Sequence, residues 1–192
     1  MKREEICRRL LGTATQLFLD SKDPVSVHAL ASNAIEHADF LAQQHKGSGL
    51  KDHVLAMFPD MELRDLKRMR NKHYRVIKHS HNFKNEPFDI SKEMADFGDT
   101  SNDYILFNCW FDFMGCGFPI PLAAQVFQTW FFRMYPKTLN PEHDFDFPLF
   151  DILMDLPRFV QKQKLCEAVI EVGKWKEVME HENTDRRPLC LG

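Results

Sequence analysis

The spacing of apolar residues constrains this chain more than any other feature of its sequence. Ile6, Leu10 and Leu17 recur at intervals of four and seven positions, which predicts a helix over residues 2–20. No stretch of useful length alternates apolar and polar residues, and the hairpin turn pairs Asn-Gly and Asp-Gly are absent. The sequence therefore predicts an all-α protein, a helical bundle of about six to eight helices.

Turn residues divide the rest of the chain into further helices. Asp23 can cap a helix whose first residue is Pro24, and the glycines at residues 47–49 are typical of its end. Other helices are predicted over residues 50–58, 61–81, 102–114, 121–134 and 149–181, the last interrupted near Pro157.

Two segments lack a clear helical period. We interpret residues 84–101 as a long connection with a helical turn at 91–96, and residues 182–192 as a frayed tail. The length suits one domain with a sizeable core, so we expect a single helical domain over residues 1–192. A division into two lobes near residues 84–101 is the alternative.

Composition narrows the class of protein. The formal net charge is −3, so the total charge predicts no general binding to polyanions or membrane surfaces. The most apolar stretch, residues 104–118, is shorter than the roughly 20 residues of a membrane span. Five cysteines, none in CxxC spacing, favour reduced thiols. These features predict a cytoplasmic protein without membrane contact.

Positive charge is concentrated in one part of the chain. Residues 64–84, the basic segment, hold eight lysines and arginines against one aspartate, so their charge is +7 and that of the remaining chain is −10. On a continuous helix, Arg68, Lys72 and Arg75 fall on one stripe, which His79 continues. Guanidinium, ammonium and imidazole groups suit phosphate, so this stripe predicts a surface for RNA or another phosphorylated ligand. The predicted phosphate-binding residues are Arg68, Lys72 and Lys78.

A charged helix face has a simpler interpretation as well. Most such faces are only solvated, and this one could pair with acidic side chains elsewhere, such as Glu142, Asp144 and Asp146. The two interpretations differ in what the structure must show. A binding surface has to be open to solvent, whereas an internally paired face is covered by carboxylates.

Two stretches resemble a family of uncharacterised bacterial helical proteins. The first is Asp-Pro-Val-Ser-Val-His-Ala-Leu-Ala at residues 23–31. The second is Lys-His-Ser-His-Asn-Phe-Lys at residues 78–84, similar to an Asn-Phe-Phe-Lys-His-like run that follows a basic helix in that family. The resemblance spans residues 5–90 and implies a helical fold without a settled activity.

Arg75 and His81, separated by five residues, also resemble the motif of HEPN domains, an arginine followed after four to six residues by a histidine. Val76 departs from that motif, which prefers a polar residue after the arginine. HEPN domains are helical bundles, often dimeric, and many are metal-independent RNases. The resemblance implies that Arg75 stabilises charge on a phosphate, that His79 or His81 acts as general acid or base, and that two copies form a homodimer.

Scattered histidines and acidic residues form no recognised metal motif. The chain has no His-Glu-x-x-His sequence and no pair of Glu-x-x-His motifs like those of di-iron bundles. We therefore expect no metal site and no cofactor. The residues that a metal site would have to use are His28, Glu36, His37 and His53.

Four further positions carry local predictions. His73 falls on the apolar side of its helix and is expected to be a hydrogen-bonded core residue. Asp112 lies among aromatic residues and needs a partner, such as an arginine of a neighbouring helix. Cys109 and Cys116 are expected to be buried structural thiols.

The aromatic run within residues 110–132 has two interpretations. Burial in the core is the usual location of such side chains. The alternative is a non-enzymatic interaction or scaffold protein that homo-oligomerises through an exposed aromatic face. The residues concerned are Trp110, Phe111, Phe113, Phe118, Phe127, Trp130, Phe131 and Phe132.

Overall fold

A computed structural model describes the backbone of residues 1–45, 49–57, 60–136, 150 and 153–191, and their side chains except those of Ala56, Met57 and Met69. The described residues form ten α-helices and two strands of two residues each, which confirms the all-α prediction. In chain order the elements are α1 (Arg3–Leu19), α2 (Pro24–His45), α3 (Leu50–Met57), α4 (Leu63–Arg70), α5 (Lys72–Lys78), α6 (Ile90–Glu93), α7 (Ser101–Gly115), β1 (Ile120–Pro121), α8 (Leu122–Met134), α9 (Arg158–Val172), α10 (Lys176–Met179) and β2 (Thr184–Asp185).

The described ranges contain ten helices, more than the predicted six to eight. One predicted helix is divided into α4 and α5, and α6 and α10 are additional helices of four residues each. The helix predicted over residues 61–81 was wrong as a single element, since it breaks at Asn71 into α4 and α5. Asn71 has φ −94° and ψ 6°, a bridge-region conformation outside the helical range. Asparagine is a weak helix former, so it is a natural residue for this break.

The other predicted helices agree with the observed ones except near the C-terminus. The region predicted as helical over residues 149–181 contains α9 and the single-turn α10, and the turn predicted at 91–96 is α6. None of the helices in the described ranges has both the length and the apolarity needed to cross a bilayer.

The core lies between α1, α2, α7, α8 and α9. Trp110 is fully buried, and its Nε1 donates a hydrogen bond to Thr15 Oγ1 at 2.9 Å. Large aromatic rings remove much apolar surface from water, so their burial is a main source of stability. The buried rings of the aromatic run, which follow the core interpretation, are Trp110, Phe113, Phe127, Trp130 and Phe131.

A buried ion-pair network joins α7 to α9. Both carboxylate oxygens of Asp103 accept hydrogen bonds from the Arg158 guanidinium, at 3.0 and 2.6 Å. Tyr135 Oη donates to the same carboxylate at 2.7 Å. Asp99 accepts from Arg158 at 2.7 Å and from Lys162 at 3.0 Å. The end of the connection at residues 84–101 is thereby fixed to α9.

The C-terminal tail is ordered, so the prediction that it is frayed was wrong for residues 182–191. Strand β2 pairs in parallel with β1, and buried Asp185 accepts a hydrogen bond from Arg8 Nε at 2.8 Å. The same guanidinium donates to the carbonyls of Pro188 at 3.0 Å and Leu189 at 2.9 Å. Because a buried arginine needs acceptors for its N–H groups, Arg8 holds the tail against α1.

Candidate functional site

The basic segment is divided between two helices and the loop that follows them. Arg68 lies on α4, Lys72 and Arg75 lie on α5, and His79 is the first residue beyond α5. The continuous helix assumed for the predicted stripe is interrupted at Asn71, between Arg68 and the other three residues. Helical spacing is kept only from Lys72 through Arg75 to His79.

Two of the predicted phosphate ligands already have anionic partners within the chain. Lys72 Nζ donates to Asp96 at 2.5 Å, and Lys78 Nζ donates to Glu36 at 3.4 Å. Hydrogen bonds from Lys72 and His73 lower the pKa of Asp96 to about 2. The internally paired interpretation is therefore correct for this part of the segment.

Three cations of the segment, Arg68, Arg75 and Lys84, are exposed and contact no carboxylate among the described residues, whereas Arg64 and Arg70 pair with Glu62 and Asp39. The guanidinium carbon of Arg75 lies 5.5 Å from the centre of the Phe83 ring and 5.7 Å from that of Phe88. Such cation–π contacts leave N–H groups free for an external anion. The acidic residues that we considered as partners, Glu142, Asp144 and Asp146, lie outside the described residues.

The chain between α5 and α6 folds into an ordered turn, which we call the Phe83 loop (residues 79–88). His81 and Pro87 form an antiparallel bridge across its base. The backbone N–H of Asn82 donates to the carbonyl of Glu86 at 2.8 Å, and the Asn82 side-chain oxygen accepts from the Glu86 N–H at 3.1 Å. These bonds hold the loop in one conformation.

Phe83 stands at the tip of this loop, and 97% of its surface is exposed. Asn85, two positions later, has φ 62°, a left-handed conformation that asparagine tolerates better than most residues. The ring is thus held in water by a defined turn, next to the guanidinium of Arg75. A phenyl face beside an available guanidinium is suited to a flat ring that carries phosphate.

The two histidines predicted as acid–base groups lie at different places in the Phe83 loop. His79 is exposed and follows Arg75 by one helical turn. His81 is also exposed and belongs to the bridge at the base of the loop, where its Nδ1 lies 2.8 Å from Ser80 Oγ. Residues four apart are neighbours on a helix surface, so Arg75 and His79 are the closer match to a pair that acts on one phosphate.

Comparison with known proteins adds no relative from which a function can be carried over. No protein-family model, curated protein or solved structure matches this chain. The chemistry of its own residues is therefore the basis for a functional conclusion, and both family resemblances stay predictions.

The residues considered for a metal site have separate partners. His28 is buried with its Nδ1 3.1 Å from Asn102 Oδ1, and burial lowers its pKa to about 4. Glu36 contacts Lys78, His37 contacts Arg3, and His53 contacts the Phe111 ring. Over the described part of the chain, no group of three or more His, Cys, Asp or Glu side chains could hold a metal ion.

His73 and the two cysteines of α7 and its end occupy environments close to those predicted. The side chain of His73 is largely buried, lies 3.1 Å from an oxygen of Asp96 and contacts the Phe97 ring edge-on. Cys109 and Cys116 are buried, and burial raises the pKa of both thiols. Neither cysteine is therefore poised as a nucleophile.

The arginine partner predicted for Asp112 was wrong, because this residue instead joins α7 to the start of α3. Asp112 is buried and accepts a hydrogen bond from the Leu50 backbone N–H at 2.6 Å. The neighbouring arginine, Arg70, instead binds both carboxylate oxygens of Asp39, at 3.0 and 2.8 Å. Because burial outweighs these contacts, the pKa of Asp112 is raised to about 6.

Asp112→Asn is expected to stabilise the protein increasingly as the pH rises. The folded-state pKa of Asp112 is about 6, against an unfolded value of about 3.9. The protonated carboxyl of wild type therefore contributes fully to stability below about pH 4, and this contribution is lost as the pH rises through about 6. Asparagine keeps an acceptor for Leu50 and stays neutral. The free energy of unfolding of the variant relative to wild type should rise by about 2 kcal/mol between about pH 4 and about pH 8.

Urea unfolding at the two pH values measures this change. Asp155→Asn, which removes an exposed carboxylate, is the matched control and should show no comparable rise. The same relative stability for Asp112→Asn at both pH values would show that burial does not disfavour its ionised form.

Proposed function

We propose that this protein binds single-stranded RNA through the Phe83 loop and the exposed cations beside it. One observation carries the proposal. Phe83 is 97% exposed on an ordered turn, next to Arg75, whose guanidinium contacts that ring and no carboxylate among the described residues. A base would stack on the Phe83 ring, while a phosphate would accept hydrogen bonds from Arg75.

The setting of Phe83 distinguishes it from other exposed rings. Single apolar side chains occur on most protein surfaces and need no explanation by themselves. Phe159 on α9 is 70% exposed, yet no cation stacks on its ring in the described part of the chain. Phe83 instead combines a fixed position with an adjacent, available arginine, and this combination favours a nucleic-acid base.

The unpaired cations supply attraction for the backbone of the same strand. Arg68, Arg75 and Lys84 can each neutralise a phosphate without first breaking an ion pair with a described residue. Binding then releases counterions from the polyanion and is strongest at low salt. Lys72 and Lys78, which are already paired, contribute less than the sequence predicted.

A single strand of RNA fits these groups better than other phosphorylated partners. Unpaired bases expose their faces for stacking, whereas bases within a duplex are already stacked on one another. A phosphopeptide would use the guanidinium and leave the Phe83 ring in water. Membrane surfaces are usually bound by a larger set of apolar side chains than the one ring at this tip.

Phe83→Ala is expected to weaken binding of a labelled single-stranded RNA of about 12 nucleotides by roughly tenfold, because a base–aromatic stack is worth about 1–3 kcal/mol. Fluorescence anisotropy at low salt measures the Kd. Phe159→Ala is the matched control, since it removes an equally large exposed ring from α9 and should leave the Kd unchanged. Equal weakening in both variants, or preferred binding to the matching duplex or to anionic vesicles, would contradict the proposal.

Cleavage of the bound RNA is a second proposal, which follows from the HEPN resemblance and is favoured by the position of His79 one turn beyond Arg75. His79 or His81 would exchange a proton with the ribose 2′-hydroxyl or the leaving oxygen, and Arg75 would stabilise the charged phosphate. Denaturing gels of the same RNA, incubated with wild type, His79→Ala and His81→Ala, report this activity. No cleavage by wild type, or unchanged cleavage by both variants, would remove the RNase proposal and leave the binding proposal intact.

A further inference from the structure

A cleft of about 680 Å³ opens between the end of α7, α8 and the turn that carries α10. Its volume lies within the range of about 300–1,000 Å³ typical of small-molecule sites. Part of its wall is apolar and includes Met114, Phe118, Ile120 and Val178. None of the residues that line it belongs to α5 or the Phe83 loop, so the cleft is separate from the proposed RNA surface.

Two glutamines of α8 line this cleft, and their amides are used differently. Gln125 Nε2 donates to the Ile120 carbonyl at 3.1 Å and to Thr184 Oγ1 at 2.9 Å, which gives that amide a structural role. Gln128 Nε2 is buried and has no hydrogen-bond partner among the described residues. Because that nitrogen has no surface open to the cleft, Gln128 forms part of the wall without offering a donor to a ligand.

The turn that carries α10 adds a donor and a carboxylate to the cleft. The backbone N–H of Asn183 donates to His181 Nδ1 at 3.2 Å, so the neutral ring carries its hydrogen on Nε2 and can donate from there. Glu177 is exposed and makes no hydrogen bond or ion pair in the part of the chain that the structure describes. The described lining contains no lysine or arginine, so an anionic ligand would face the negative charge of Glu177 without a compensating cation.

We propose that this cleft binds a small organic cation, a protonated amine carried on an aromatic or branched apolar body. The ammonium group would pair with Glu177, and the apolar body would lie against Phe118 and Ile120. His181 would donate a hydrogen bond to a hydroxyl or carbonyl oxygen of the same ligand. A carboxylate on a body of the same size is rejected, because Glu177 would repel it.

Calorimetric titration with three ligands of one shape and different charge tests this proposal: phenethylamine, 2-phenylethanol and 3-phenylpropionate. We expect the amine to bind most tightly and Glu177→Gln to weaken the amine by about fivefold without affecting the alcohol. Glu167→Gln, which removes an exposed carboxylate of α9 outside the cleft, should change neither. No binding of the amine, or equal binding of amine and carboxylate, overturns the proposal.

Discussion

Asp103→Ala is expected to lower the free energy of unfolding by about 3 kcal/mol, because removing one partner of a buried ion pair leaves the other charge uncompensated. Asp103 is 0% exposed and accepts two hydrogen bonds from Arg158 and one from Tyr135. Arg158 would keep its bond to Asp99, so the loss should stay near the lower end of the range for such pairs. Urea unfolding measures the change, with the denaturant slope unaltered.

Asp155→Ala is the control for this substitution, since it removes a carboxylate that is exposed, whereas that of Asp103 is buried. Its effect should stay within about 0.5 kcal/mol, the usual range for surface changes. Asp103→Asn should fall between the two, because it keeps an acceptor for Tyr135 but loses the charge that faces Arg158. A stability loss below about 1 kcal/mol for Asp103→Ala would contradict this account, because it would mean that the buried ion pair contributes no more than an exposed one.

Gly12→Ala is expected to destabilise the protein by about 2–3 kcal/mol, although alanine is favoured over glycine by about 1 kcal/mol in a helix. A Cβ atom at position 12 would lie 1.9 Å from the Leu189 carbonyl oxygen and 2.5 Å from Arg8 Nη1. Because the first of these atoms is backbone, the tail would have to leave α1. Arg8 and Asp185 would then lose the contacts that satisfy their buried charges.

Thermal unfolding of Gly12→Ala and trypsin cleavage after Arg186 report the loss of stability and the release of the tail. Gly98→Ala is the matched control, since no atom lies within 4 Å of an added Cβ there. Faster cleavage should occur only in Gly12→Ala. A variant that is as stable as wild type, or more stable through its helix propensity, would show that the tail is not held against α1.

The sequence predicted the helices because their formation depends on residues three and four positions apart. It did not predict the tail, since the bond between Arg8 and Asp185 joins residues 177 positions apart and Arg8 lies in a stretch that reads as solvated. The break at Asn71 was missed for another reason. A single asparagine is tolerated in many helices, and only its backbone conformation shows that this one ends α4.

The basic segment was predictable from charge, but the availability of each cation was not. The partners of Lys72 and Lys78 come from 24 and 42 residues away, Asp96 and Glu36. Phe83 was not predicted as a site residue, because the exposure of its ring depends on the turn that carries it. Asparagines on both sides of it are a turn signal that could have marked this loop.

The proposed RNA binding requires that part of the basic segment is open to an external polyanion, although carboxylates pair with the rest. The salt dependence of single-stranded RNA binding tests it most directly. Arg68, Arg75 and Lys84 together predict that log K falls with log salt with a slope of about −2, which Arg75→Gln reduces to about −1.4. Lys72→Gln, which removes a cation already paired with Asp96, should leave the slope near that of wild type. Binding that does not depend on salt, or no binding at low salt, would contradict the claim.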